Sequence, residues 1–143
     1  LDVGANNGDW SDLMRTKFFP NAEYFLIEAN GVYSESFKAK SYRHEIALVG
    51  EKDNEIVEFQ YHKRYPTGGT IMNEKSDKGG VQPGHVVKQL TLRTIDSILA
   101  SNRVTPPQLM KMDIQGSEFM ALRGAVKTLQ SVEILIVEVP FHQ

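Results

Sequence analysis

The chain has 143 residues, of which 41% are apolar and 24% are charged, and its formal net charge is −2. This composition is typical of one globular, soluble domain and provides no basic field for binding nucleic acid. The chain contains no cysteine, which excludes disulfides and cysteine-ligated metals, and no apolar run reaches the ~20 residues of a membrane span. We expect residues 1–143 to form a single domain. No signal-peptide pattern opens the chain, and we expect the protein to be cytoplasmic.

The first third of the chain predicts strands and helices in alternation. Its predicted elements are a strand at 1–3, a helix at 9–19, a strand at 23–29, a short helix at 33–40 and a strand at 44–49. The apolar face of the first helix carries Trp10, Leu13, Met14 and Phe18. A continuous apolar strand such as 23–29 is the kind that a parallel sheet buries on both faces. This order favours an α/β sandwich with right-handed crossovers.

The middle of the chain breaks this alternation. Residues 55–62 alternate in their side chains, which predicts a half-exposed antiparallel strand that pairs with 86–95. Between them, residues 64–85 are polar and rich in glycine and proline, and we expect a mobile loop that holds the substrate. The sequence therefore predicts a β-hairpin and loop inserted into the sandwich.

Regular alternation resumes after the insertion. The predicted elements are a helix at 94–102, a strand at 108–114, a helix at 117–130 and a strand at 132–139. One face of the last helix carries Phe119, Leu122, Val126 and Leu129. Glycine inside a helix weakens it by roughly 1 kcal/mol relative to alanine. We therefore expect Gly124 to allow close packing of this helix against the sheet.

The segment "DVGANNG" is a predicted turn between the first strand and the first helix. Gly4 and Gly8 permit positive φ angles and a close approach of the backbone to a ligand. The turn lies at the carboxyl edge of the sheet, where open α/β sheets bind ligands. Glu28 ends the next predicted strand at the same edge, where its carboxylate can accept both hydroxyls of an adenosine ribose.

A nicotinamide dinucleotide is one candidate ligand, and its turn has the pattern G-x-G-x-x-G. Here Asn6 and Asp9 stand at the second and third glycine positions, and Asp9 puts a carboxylate where the pyrophosphate would lie. Asn6 tolerates the left-handed conformation, and Asp2 suits a cationic ligand. S-adenosylmethionine has a sulfonium, an ammonium and no phosphate, so we favour it and keep an NAD-binding domain as a weaker alternative.

Five sequence blocks run in order along nearly the whole chain: "DVGANNGDWS", "FLIEA", "LRTIDSIL", "LMKMDIQGSEFMALRGA" and "ILIVEVPF". Together they resemble the FkbM-type methyltransferases of class I. The resemblance implies a Rossmann-like sheet, S-adenosylmethionine as methyl donor, and usually O-methylation of a sugar or another hydroxyl-bearing small molecule. It also implies that Glu28 holds the donor's ribose, and that the donor's methionine end is lined by Asp2, Gly4, Asn6 and Gly8.

The resemblance further implies a chain truncated at both ends. Class I methyltransferases have a seven-stranded sheet, with two strands beyond the one that corresponds to 132–139. This chain ends at Gln143. Only three residues precede the opening turn, against ~5–6 in a usual strand. A truncated nucleoside-binding module without turnover is therefore the alternative to an active enzyme.

Asp113 is the predicted catalytic residue, because it ends a central strand beside the cleft. A carboxylate there can accept the proton of the acceptor hydroxyl, or it can orient that hydroxyl. Glu118 and His85 are the secondary candidates, one at the start of the last helix and the other in the long loop. Ser117 is interpreted as the N-cap of that helix.

A metal site has weak support in the sequence. Asp113 and Glu138 could offer oxygen ligands to Mg²⁺, but the residues after Glu138 supply no further carboxylate. The four histidines lack a metal-ligand spacing, so we expect no metal. The basic cluster at 62–65 is interpreted as a solvated surface.

Overall fold

The computed structural model describes residues 1–62, 70–71 and 84–138. The strands of this part of the chain are β1 (Asp2–Val3), β2 (Phe25–Glu28), β3 (Arg43–Ile46), β4 (Leu48–Val49), β5 (Ile56–His62), β6 (Thr70–Ile71), β7 (His85–Arg93), β8 (Leu109–Met112) and β9 (Ile134–Val137). The α-helices are α1 (Asp9–Lys17), α2 (Ser34–Ala39), α3 (Ile95–Ser101) and α4 (Glu118–Arg123), with short 3₁₀ helices at Gly31–Tyr33 and Thr128–Gln130. None of the helices in the described ranges is long and apolar enough to cross a membrane.

The main sheet has five parallel strands in the order β3-β2-β1-β8-β9. The predicted α/β, Rossmann-like fold is confirmed, and β8 is a central strand as expected, since it lies between β1 and β9. The strand order reverses direction between β1 and β8, which is the position where open α/β sheets bind their ligands. Both strands are buried there, since Val3, Met110 and Met112 are inaccessible to solvent.

The predicted hairpin is also present. Strand β5 pairs antiparallel with β7 over its whole length, from Ile56 opposite Thr91 to His62 opposite His85. These strands belong to a second, four-stranded sheet in the order β4-β7-β5-β6. His85 therefore begins a strand, whereas the sequence placed it in the loop.

The predicted strand at 44–49 is wrong as one element, because the structure divides it between the two sheets. The N–H of Ala47 donates to the carbonyl of Glu28 at 2.9 Å and ends the pairing of β3 with β2. The next two residues pair with Leu92 and Arg93 of β7 as β4. The chain thus passes from one sheet to the other here, which brings the hairpin next to the carboxyl edge of the main sheet.

The last predicted helix is shorter than its periodicity suggested. It ends at Arg123, and the N–H groups of Lys127 and Thr128 donate to the Asp96 carboxylate at 2.9 and 2.8 Å. That carboxylate stabilises a separate turn in place of further α-helix. A Cβ at Gly124 would collide with the carbonyl oxygen of Gly50, so the expected close packing at Gly124 is confirmed.

The predicted apolar faces of α1 and α4 were partly wrong. Phe119 is 78% exposed and Val126 is also exposed, whereas the small Ala121 and Ala125 lie in the core. In α1 the buried side chain is that of Ser11, and Leu13 and Phe18 are exposed.

Candidate functional site

A cavity opens at the carboxyl ends of β1, β2 and β8. Its lining includes Gly4 and Asn6 of the opening turn and Glu28 and Asp113 at the strand ends. The lining also includes the apolar side chains of Phe59 and Ile71 of the hairpin sheet and of Leu48 of β4. Because β4 belongs to the hairpin sheet and β3 to the main sheet, residues of both sheets line the cavity.

The opening turn has the backbone conformation that the sequence predicted. Gly4, Asn6 and Gly8 have φ angles of 75°, 52° and 84°, so Asn6 is left-handed. The N–H groups of Gly4 and Ala5 both donate to the carbonyl of Ile27, at 2.9 and 3.1 Å, and that of Gly8 donates to Ala5. These donors are used inside the protein and are not free for a phosphate.

Glu28 lies at the cavity with both carboxylate oxygens engaged. Oε2 accepts the N–H of Asn6 and Oε1 accepts the N–H of Asn30, each at 2.8 Å. Burial raises the pKa of the Glu28 carboxyl, and the backbone N–H donors oppose this rise. A carboxylate has about four lone-pair sites, so sites remain for ligand hydroxyls. Glu28 also shapes the turn, a role that the sequence did not reveal.

Three of the five predicted methyl-donor-site residues line the cavity, namely Gly4, Asn6 and Glu28. The other two, Asp2 and Gly8, do not. Asp2 is 1% exposed, and its Oδ2 accepts the hydroxyl of Ser11 at 2.7 Å. Burial raises its pKa, against the opposing charge of Lys111. Gly8 is buried, and a Cβ added there would touch the Phe37 and Leu26 side chains. Asp2 and Gly8 therefore support the turn from inside the protein.

Asp113 lines the cavity, as expected of the main catalytic candidate. Its side chain is 26% exposed, and its Oδ1 accepts the amide N–H of Gln115 at 3.1 Å. Its Oδ2 lies 3.5 Å from the ammonium of Lys111. The carboxylate is thus held by its neighbours and still reaches the open space of the site.

Glu118 is placed differently from what a catalytic role requires. Its side chain is buried and does not line the cavity. Oε1 accepts the N–H groups of Ile114 and Gly116 at 3.2 and 3.1 Å, across a loop in which Gln115 has a φ of 55°. Its carboxylate holds the loop that carries Asp113. Ser117 precedes α4 as predicted, but its side chain makes no capping hydrogen bond.

His85 does not line the cavity with Asp113. Its ring packs edge-on against the ring of His62, with centroids 5.0 Å apart. The predicted substrate loop lies mostly at 63–69 and 72–83, outside the described residues, as does most of the basic cluster at 62–65. Within the described ranges, Glu138 is absent from the cavity lining and no group of three potential ligands could hold a metal.

Lys111 lies beside the cavity and was not predicted from the sequence. Its ammonium lies 3.5 Å from Oδ1 of Asp2 and 3.5 Å from Oδ2 of Asp113. The available signal was its position two residues before Asp113 in a predicted strand, which puts both side chains on one face. A lysine inside a central strand is itself unusual, because lysine is almost never fully buried unless it is paired.

The charge of the cavity selects among the candidate ligands. Glu28 and Asp113 are the charged residues among those described that line it, and both are acidic. An acidic cavity beside a turn whose Gly4, Ala5 and Asn6 N–H groups are used internally fits a cationic nucleoside and opposes a pyrophosphate. The residues that line the cavity therefore fit S-adenosylmethionine and do not fit a nicotinamide dinucleotide.

Comparison with known proteins identifies the family of the chain. Residues 2–143 match the family described as the methyltransferase FkbM domain. The chain belongs to this family. The hexuronic acid methyltransferase AglP of Haloferax volcanii is 38% identical to this FkbM-family chain over 142 residues, which are 96% of the chain and 54% of the relative. The chain thus spans about half the length of this curated relative.

A solved structure shows the same fold. The crystal structure of the methyltransferase FkbM from Methylobacillus flagellatus superposes with a TM-score of 0.57 at 18% sequence identity. The superposition covers 95% of this chain and 32% of that one. At this level of identity the likeness concerns the fold, and it agrees with the Rossmann-like arrangement of the main sheet.

Proposed function

We propose that this FkbM-family chain binds S-adenosylmethionine in the cavity and transfers its methyl group to a hydroxyl of a sugar, with hexuronic acids as the first class to test. The observation that carries the proposal is the acidic lining formed by Glu28 and Asp113, beside a turn in which the N–H groups of Gly4, Ala5 and Gly8 are used internally. The named activity of the 38% identical relative supports the acceptor class. When bound, S-adenosylmethionine supplies an electrophilic methyl group on a sulfonium.

The residues of the chain have separate roles in this proposal. Glu28 accepts the ribose hydroxyls, and Gly4 and Asn6 let the backbone approach the ligand. Leu48, Phe59 and Ile71 shield the ligand with apolar surface. Asp113 orients the acceptor hydroxyl and accepts its proton, which is worth ~10²–10⁴ in rate for a general base.

The direct test is methyl transfer from labelled S-adenosylmethionine by the full-length protein. The acceptor panel contains hexuronic acids, neutral sugars, lipids and peptides. We expect label in the hexuronic acids, and label confined to peptides or lipids would contradict the sugar acceptor. Binding of S-adenosylhomocysteine without transfer to any acceptor would favour the nucleoside-binding alternative. Tighter binding of NADH than of S-adenosylhomocysteine would remove the methyltransferase proposal.

Glu28→Ala is expected to weaken S-adenosylhomocysteine binding at least ~tenfold, as measured by calorimetry. A hydrogen bond to a charged acceptor contributes about 1.5–3 kcal/mol, and about 1.4 kcal/mol corresponds to tenfold in affinity. Asp96→Ala is the matched control, because that carboxylate also accepts two backbone N–H groups but lies outside the cavity. Equal loss of affinity in both variants would show a general loss of structure and would remove Glu28 from the ligand site.

A further inference from the structure

Lys111 places a positive charge inside the main sheet. It lies on β8 directly opposite Asp2 of β1, and its side chain is only 13% exposed. Charged side chains in such positions are kept where they are paired, since desolvation of an unpaired charge is unfavourable. Its partners therefore indicate what this lysine does.

The ammonium of Lys111 connects three parts of the site. It lies 3.5 Å from Oδ1 of Asp2, 3.5 Å from Oδ2 of Asp113, and it donates to the carbonyl of Gly4 at 3.2 Å. Lys111 itself is absent from the cavity lining. It can therefore act on a bound ligand only through its partners.

The two carboxylates beside Lys111 differ in their surroundings. Asp2 is buried behind the turn and already accepts the hydroxyl of Ser11. Asp113 faces the cavity and is held on one oxygen by Gln115 and on the other by Lys111. Catalytic side chains must be held to within about half an ångström of their working position, and these two contacts restrain the Asp113 carboxylate from both oxygens.

We propose that Lys111 is a positioning residue for methyl transfer, whose ammonium fixes the Asp113 carboxylate in the cavity while Asp2 anchors the ammonium from behind. The inference rests on the proposed function and on Asp113 as the group that meets the acceptor. A purely structural role, in which Lys111 only neutralises the buried Asp2, is the competing explanation.

A pair of variants separates the two roles. Lys111→Met alone would leave Asp2 as an unpaired buried charge and risks unfolding the protein. The double variant Asp2→Asn/Lys111→Met removes both charges at nearly constant side-chain size. Asp2→Asn alone is its reference, because it keeps the ammonium beside Asp113. A lysine that only neutralised Asp2 would be dispensable once Asp2 is asparagine.

We expect the double variant of the full-length protein to have a kcat ~10²-fold below that of Asp2→Asn, because misplacement of a reacting group by about 1 Å can have this effect. Affinity for S-adenosylhomocysteine and the thermal midpoint should match those of Asp2→Asn. Equal kcat values for the two variants would overturn the proposal.

Crystal structures of the same two variants provide a readout that does not depend on turnover. We expect the Asp113 carboxylate to leave its place beside Gln115 in the double variant and to keep it in Asp2→Asn. An unmoved carboxylate in the double variant would overturn the positioning role. If the wild-type protein transferred no methyl group to any acceptor, the proposed function would fail, and this structural comparison would still decide the role of Lys111.

Discussion

Asp113→Asn is expected to lower the kcat of methyl transfer by ~10²–10⁴-fold while leaving the affinity for S-adenosylhomocysteine nearly unchanged. Asparagine keeps the shape of the side chain but loses its basicity, and general-base assistance is worth this much in rate. The amide of Gln115, which donates to Oδ1 at 3.1 Å, can still donate to the asparagine oxygen. Steady-state kinetics at saturating donor and calorimetry of the product complex measure the two quantities.

The control for this variant is Glu138→Gln. Glu138 follows the neighbouring strand β9, is exposed and lies outside the cavity lining, so its loss should leave kcat unchanged. Wild-type turnover in Asp113→Asn would make Asp113 structural. Loss of product affinity in Asp113→Asn would instead assign the carboxylate to the donor site. Equal losses of turnover in Asp113→Asn and Glu138→Gln, together with inhibition by EDTA, would favour the magnesium site that we do not expect.

Gly4→Ala is expected to lower the free energy of unfolding by ~2–5 kcal/mol. The φ of Gly4 is 75°, and a left-handed conformation is unfavourable by roughly 1–2 kcal/mol for an alanine. A Cβ at this position would also collide with the carbonyl oxygen of Asp113, and overpacking of this kind adds ~1–3 kcal/mol. Urea unfolding of the wild type and the variant measures the difference.

Gly116→Ala isolates the backbone contribution to that effect. Gly116 has a φ of 94°, but an added Cβ there would meet no atom within 4 Å. We therefore expect only the backbone strain, roughly 1–2 kcal/mol. If the two alanine variants were equally stable, then the contact between the opening turn and the Asp113 strand end would not be as tight as the structure shows.

Local patterns were enough to predict most of the elements and the turn beside which the cavity lies. The apolar run that contains β2, the polar–apolar alternation of β5, and the left-handed Asn6 between Gly4 and Gly8 are properties of neighbouring residues. Each of these predictions is confirmed by the structure. The carboxyl edge of a parallel sheet follows from the order of strands and helices, so residues at strand ends, such as Glu28 and Asp113, could be grouped from the sequence.

The sequence by itself thus determined the α/β fold, the turn and the two acidic residues at the cavity, because these depend on backbone preferences and on apolar periodicity. Only the tertiary structure decided which carboxylates remain available to a ligand and which are used in hydrogen bonds and ion pairs within the protein. Glu118 binds the N–H groups of its own loop, and Asp2 turns away from the cavity toward Ser11 and Lys111. Such pairings join atoms that are distant in the chain or set by a particular loop conformation. They are fixed only when the sheet and helices pack, so no spacing rule in the sequence predicts them.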